Sequence, residues 1–188
     1  MTLLINACVR RNSRTGTLAR HLLSGWDSAV EEADLIHIRF PAADEAFIRR
    51  RDRLIAEKAF QDPLFALARQ FARADRIVIA APYWDLSFPA VLKQYFEQIN
   101  VLGITFEYTP EGIPKGLCRA EKLFYVTTAG GVYVPEEFGF GYVKALAENF
   151  YGIPDVRLVM AKGLDIAGAD EERIMKECME KIDREMKG

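Results

Sequence analysis

Three short stretches hold the residue types that could do chemistry, and none supplies a Ser-His or Cys-His nucleophile pair. The first is Ala7-Cys8-Val9-Arg10-Arg11-Asn12-Ser13-Arg14-Thr15-Gly16-Thr17, where hydroxyls and arginines gather just as a helix would begin. A helix start offers unpaired N–H groups and about half a positive charge, so this stretch suits a phosphate monoester. The same residues would also serve as an ordinary N-cap with its arginines in water. The second stretch, Pro82-Tyr83-Trp84-Asp85-Leu86, places two large aromatics directly after an apolar run, which suits a planar ligand. The third is Thr127-Thr128-Ala129-Gly130-Gly131-Val132-Tyr133. Its paired glycines let backbone approach a ligand closely and its threonines can donate hydrogen bonds, although a plain tight turn would read the same way.

Elements must bring these stretches together, and the hydrophobic pattern supplies them. Short apolar runs predict strands at Thr2–Ala7, Asp34–Phe40, Arg76–Ala81, Glu121–Thr128 and Val156–Ala161. Helical spacing predicts helices at Arg14–Gly25, within Ala56–Arg73, and at Phe88–Leu102, Tyr142–Tyr151 and Asp170–Met186. Ser87 and Pro89 read as the start signals of the third of these. Alternation of this kind gives an α/β domain, a doubly wound parallel sheet with right-handed crossovers. The run Ile77–Ala81 is apolar throughout, as a strand covered on both faces must be. Pro41–Arg53, with its Arg49-Arg50-Arg51 cluster, and Gly103–Ala120 fall outside the rhythm. The cluster reads as a solvated helix face paired with Asp44, Asp52 and Glu57, or else as a contact for a phosphate or nucleotide tail.

In a parallel sheet the loops after the first, third and fourth strands leave the same carboxyl edge and can enclose one ligand. The first loop is neither a Walker A nor a GxGxxG turn, which disfavours a nucleoside triphosphate or a dinucleotide. A phosphate together with a ring then makes flavin mononucleotide (FMN) the economical choice.

Composition narrows the classes further. A length of 188 residues fits a single domain over residues 1–188, and a net charge of -2 argues against nucleic-acid binding. Cys8, Cys118 and Cys178 are scattered and form no CxxC, which reads as reduced thiols in a cytoplasmic protein. With only two histidines no metal site is expected. The apolar start is too brief for a secretory signal, and no stretch reaches the ~18 residues of a membrane span.

These residues resemble the flavodoxin-like NAD(P)H:quinone reductases and FMN-dependent NADH-azoreductases. The first loop is similar to the family's Gly-Ser-x-Arg-x-x-Ser-x-Thr phosphate loop, aligned on Ala7 to Thr15. Pro82, Trp84, Pro89, Ala90, Leu92, Lys93, Tyr95 and Phe96 resemble its Pro-x-Tyr…Pro-Ala-x-Leu-Lys-x-Tyr/Phe-Phe element. Gly103–Thr109 with Gly116-Leu117, and Thr127–Gly131, resemble two further family segments in the same order. The resemblance implies a five-stranded sheet of order 2-1-3-4-5 with helices on both faces. It also implies a homodimer that passes hydride from NADH or NADPH through FMN to quinones, azo compounds or related aromatics in ping-pong order. Cys8, Arg10, Ser13, Arg14 and Thr15 would then lie at the phosphate, and Pro82, Tyr83, Trp84, Asp85 and Leu86 along the isoalloxazine. Thr128, Ala129, Gly130 and Gly131 would meet the pyrimidine edge, and Tyr108 and Tyr133 would border the substrate pocket, Tyr108 from the partner subunit.

Three positions depart from the family pattern. Cys8 replaces a serine and reads as a buried, inert thiol. Ala129 replaces an arginine of some azoreductases, which speaks against a sulfonated acceptor. Asp85 replaces an asparagine or an aromatic; close to the flavin it would lower the potential, and otherwise it is a turn residue. A flavodoxin-type electron carrier and a flavin-binding regulatory subunit of a membrane transport system are the alternative readings. The modest negative charge and the longer first loop count against the carrier.

Overall fold

The computed structural model describes residues 1–186. Its first strand, β1 (Thr2–Asn6), leads through the first loop into α1 (Arg14–Leu23) and then β2 (Val30–Asp34). α2 (Glu45–Ala56) and α3 (Ala66–Arg73) precede β3 (Arg76–Ala80), which is followed by α4 (Ala90–Ile99). A short antiparallel pair, β4 (Phe106–Tyr108) and β5 (Pro114–Gly116), comes before β6 (Lys122–Thr128). α5 (Phe140–Leu146), β7 (Asp155–Ala161) and α6 (Glu171–Glu185) complete the order. The five long strands form one parallel sheet in the order β2-β1-β3-β6-β7, which is 2-1-3-4-5 once the small hairpin is set aside.

Alternation along the strands divides the core in two. Leu3, Ile5, Ile77, Ile79, Leu123 and Tyr125 point to the face covered by α3, α4 and α5, where they meet Phe71, Leu92, Tyr95 and Phe96. Leu4, Val78, Ala80, Phe124 and Val126 point to the other face and meet Leu18 and Leu22 of α1 and Ile182 of α6. A period of two on strands that are covered on both sides explains why these runs carry no polar residue. At the amino end of the sheet Trp26 packs against Phe124, with ring centroids 5.1 Å apart, and lies beneath the Arg76 guanidinium.

Four expectations need correcting. The second strand is Val30–Asp34, not Asp34–Phe40, and Leu35–His37 is a 3-10 turn. An edge strand pairs on one side only and buries little more than Ala33, so its Glu31 and Glu32 conceal it from a search for apolar runs. Leu35, Ile38 and Phe40 are apolar because they pack over the core from outside the sheet. Most of Pro41–Arg53 is helical, belonging to α2, whose start is capped by Asp44 accepting from Phe47 N–H at 2.8 Å. Arg49 pairs with Glu45 and Arg50 with Asp62, while Arg51 donates to the carbonyls of Glu97 and Asn100. That last contact satisfies carbonyls at the C-terminus of α4. Ser87 does not cap α4, which begins after Pro89; its hydroxyl donates to the Phe138 carbonyl at 2.8 Å.

Gly103–Ala120, outside the helix–strand rhythm, holds the β4–β5 hairpin. Gly116 lies directly against the chain at Tyr151–Gly152, where an added Cβ would stand 2.1 Å from the Tyr151 carbonyl carbon. Only a residue without a side chain permits that approach. The receiving surface is a π-type turn, Ala147–Tyr151, that prolongs α5 and ends at Gly152 in the left-handed region.

Candidate functional site

At the carboxyl edge the three chemically promising loops meet. The order of the sheet reverses between β1 and β3, and ligands of open α/β sheets bind outside such a switch point. A cleft lies there.

The first loop is shaped by its own polar groups. Asn6 Oδ1 accepts from Cys8 N–H at 3.0 Å, and Ser13 Oγ accepts from Gly16 N–H at 3.2 Å as the N-cap of α1. Helix geometry leaves the N–H groups of Arg14 and Thr15 without intrahelical acceptors. Thr15 points inward and shares a 2.6 Å hydrogen bond with the Thr128 hydroxyl, both side chains being buried. That bond ties the helix start to the end of β6.

The second loop prolongs the sheet before it turns. Ala81 N–H donates to Val126 O and Tyr83 N–H to Thr128 O, each at 3.0 Å. Trp84 and Ser87 then exchange backbone hydrogen bonds of 3.0 and 2.7 Å around Asp85 and Leu86, whose φ angles are +49° and +68°. Two positive φ values in a two-residue turn define type I′, a conformation that favours Asn-Gly and strains a leucine. Tyr83 lines the cleft, while its buried hydroxyl has no hydrogen-bond partner. Trp84 stands 42% exposed at the rim.

The third loop runs beside the segment after β7. Ala129 N–H donates to Ala161 O at 2.9 Å, and Asp165 N–H donates to Gly130 O at 3.0 Å. A Cβ on Gly130 would lie 2.1 Å from Asp165 Oδ2, whereas one on Gly131 would meet nothing within 4 Å. Glycine is therefore demanded at the first position by packing and not at the second.

Of the residues singled out from sequence, Arg10, Ser13, Arg14, Pro82, Tyr83, Trp84, Thr128 and Gly130 line this cleft together. Thr15 and Ala129 lie buried behind it, and Asp85, Leu86 and Gly131 stand exposed beside it. Cys8 is buried with its thiol 3.6 Å from the Ala80 carbonyl, and burial pushes its pKa up against the opposing pull of Ser13 and Arg20. It is a neutral core thiol. Tyr108 and Tyr133 are 53% and 78% exposed and are not among the residues lining the cleft of their own chain.

Sequence reasoning missed Val9, Asn12 and Asp165 as wall residues. Asp165 follows β7 at the same sheet edge, and that position was the signal. Its carboxylate accepts from Arg14 at 2.9 Å, which holds its pKa below the usual carboxylate range. No cluster of His, Cys, Asp and Glu suited to a metal ion occurs among the described residues, and no helix among them is long and apolar enough to cross a membrane.

The cleft has the features that FMN requires. Helix-start N–H groups, two arginines, the aromatics Tyr83 and Trp84 and the backbone of Gly130 border it together. A 2-1-3-4-5 parallel sheet with such a cleft at its switch point defines the mononucleotide-binding class of doubly wound domains. The chain belongs to the family described as having the flavodoxin-like fold, whose family model matches residues 1–186. It is 38% identical over 177 residues to an FMN-dependent NADH:quinone oxidoreductase of Lachnoclostridium phytofermentans, covering 90% of this chain and 88% of that one. A protein of the same description from Clostridium beijerinckii is 33% identical over 183 residues, covering 94% and 91% of the two chains. Among solved structures, an azoreductase from Bacillus anthracis superposes with a TM-score of 0.83 at 26% identity, over 97% of this chain and 96% of the other.

Proposed function

We propose that this chain is an FMN-dependent NAD(P)H oxidoreductase that reduces quinones, azo compounds or related aromatics, acting as a cytoplasmic homodimer. The observation that carries the reading is the single cleft lined both by the helix-start residues Ser13 and Arg14 with Arg10 and by the aromatics Tyr83 and Trp84. Relatives above 30% identity described as FMN-dependent NADH:quinone oxidoreductases support the same chemistry. Bound FMN would supply two-electron acceptance from NADH or NADPH and two-electron donation to the acceptor, in ping-pong order.

The protein contributes placement and charge. Backbone N–H groups of Arg14 and Thr15 would receive the phosphate, with Arg10 supplying positive charge beside it. Pro82, Tyr83 and Trp84 would hold one ring face, and Thr128 with Gly130 the polar edge of the ring. No side-chain nucleophile is required, and Cys8 is a structural thiol in this scheme.

A second copy would complete the pocket. Val9, Trp84, Leu86, Val132, Tyr133 and Phe138, on or beside the loops of the cleft, are exposed large apolar side chains that a second copy would cover. Tyr108 on the hairpin would then reach the partner's flavin. Sedimentation at micromolar concentration should give twice the chain mass.

Anaerobic stopped flow tests the activity. NADH or NADPH should bleach the flavin of the purified protein, and a quinone should restore its colour. No bound flavin and no bleaching would refute the proposal.

A further inference from the structure

Arg14 stands between two cavities. On one side is the cleft, whose wall includes Asp165; on the other is a groove between α1 and α6 bordered by Arg20, Glu171 and Met175. A single guanidinium nitrogen, Nη1, donates to Asp165 Oδ1 at 2.9 Å and to Glu171 Oε2 at 3.2 Å. Asp165 is fixed by its own N–H to the Gly130 carbonyl, and Glu171 opens α6. Both carboxylates therefore converge on an arginine of the first turn of α1, where a phosphate would dock.

On the reading that FMN places its phosphate at this helix start, we infer that Asp165 and Glu171 compete with that phosphate for Arg14 and thereby keep the cofactor exchangeable. Two carboxylates around one cation leave a surplus negative charge beside the anion site. Arg10, whose field helps lower the pKa of Asp165, offsets part of it from the cleft side. The Asp165 side chain is largely exposed and Arg14 is partly so, and ion pairs in such settings are weak and readily exchanged. A phosphate dianion offers a planar guanidinium a stronger, two-pronged partner. Binding then moves Arg14 from carboxylate to phosphate, and the wall between cleft and groove opens as it moves. Retention of the phosphate is reduced by the repulsion of the carboxylates left behind, whereas a flavin without a phosphate does not compete with them for Arg14.

Riboflavin, which has the ring but no phosphate, separates the two effects. Apoprotein is titrated with FMN and with riboflavin, following quenching of flavin fluorescence, for the wild type, Asp165→Asn and Glu171→Gln. Asp165→Asn should tighten FMN binding by about fivefold and Glu171→Gln by roughly twofold, with riboflavin unchanged in both. Both substitutions preserve side-chain size, and circular dichroism of each apoprotein verifies the fold. Unchanged or weaker FMN binding in both folded variants would overturn the inference and make the ion pairs a scaffold. An equal gain for riboflavin would overturn it too, while leaving flavin binding intact. Failure of the wild type to bind either flavin would instead overturn the proposed function on which it rests.

Discussion

The two ends of the cleft are built in opposite ways. At the phosphate end the polar groups are largely met from within the chain. Ser13 caps α1, Thr15 is bonded to Thr128 in the interior, and Arg14 is held by two carboxylates. At the ring end the chain leaves its surface open, with Trp84 at the rim, Leu86 strained in a type I′ turn and Tyr133 almost bare. One end is organised by contacts within the chain; the other leaves large apolar side chains exposed. Breaking the buried Thr15–Thr128 pair at the first should therefore act on stability, and substitutions of the exposed side chains at the second on ligand affinity.

Thr128→Ala should have the largest effect. It leaves the buried Thr15 hydroxyl without its partner and should lower unfolding free energy by about 2 kcal/mol in urea denaturation. Trp84→Ala should leave that midpoint nearly unchanged, because the ring is half exposed, yet weaken flavin binding by roughly tenfold through lost stacking. A comparable loss of stability from both changes would erase the contrast. The smallest effect is expected from Leu86→Gly, which relieves a positive φ but adds freedom to the unfolded chain. A net gain of about 0.5 kcal/mol should appear as a higher melting temperature. A clear loss would mean that Leu86 is already packed against a partner in solution.

Much of this was legible in the sequence, for physical reasons. Ile77–Ala80 and Leu123–Val126 are covered on both faces, so their runs of apolar residues announce themselves. The convergence of three loops follows from parallel strands sharing one edge. β2 escaped because half-exposed edge strands tolerate glutamates, and α2 because charged side chains dominate it and Leu54 is its one residue in the core. Asp165 escaped for a different reason. Its partner Arg14 lies 151 positions away, and no local pattern records a pairing at that distance. Asp85 shows the limit from the other side: its carboxylate occupies the exposed tip of a turn and is not part of the cleft wall.

The two tryptophans of this chain stand beyond opposite ends of the sheet, Trp26 packed on Phe124 at one and Trp84 on the cleft rim at the other. Trp84 stands nearer to a flavin held in the cleft than Trp26 does, so its emission would be the more strongly quenched by energy transfer. Each molecule thus carries its own reference and its own reporter. Trp26→Phe, leaving Trp84 as the sole tryptophan, would convert cofactor loading into an optical signal that can be followed without any substrate.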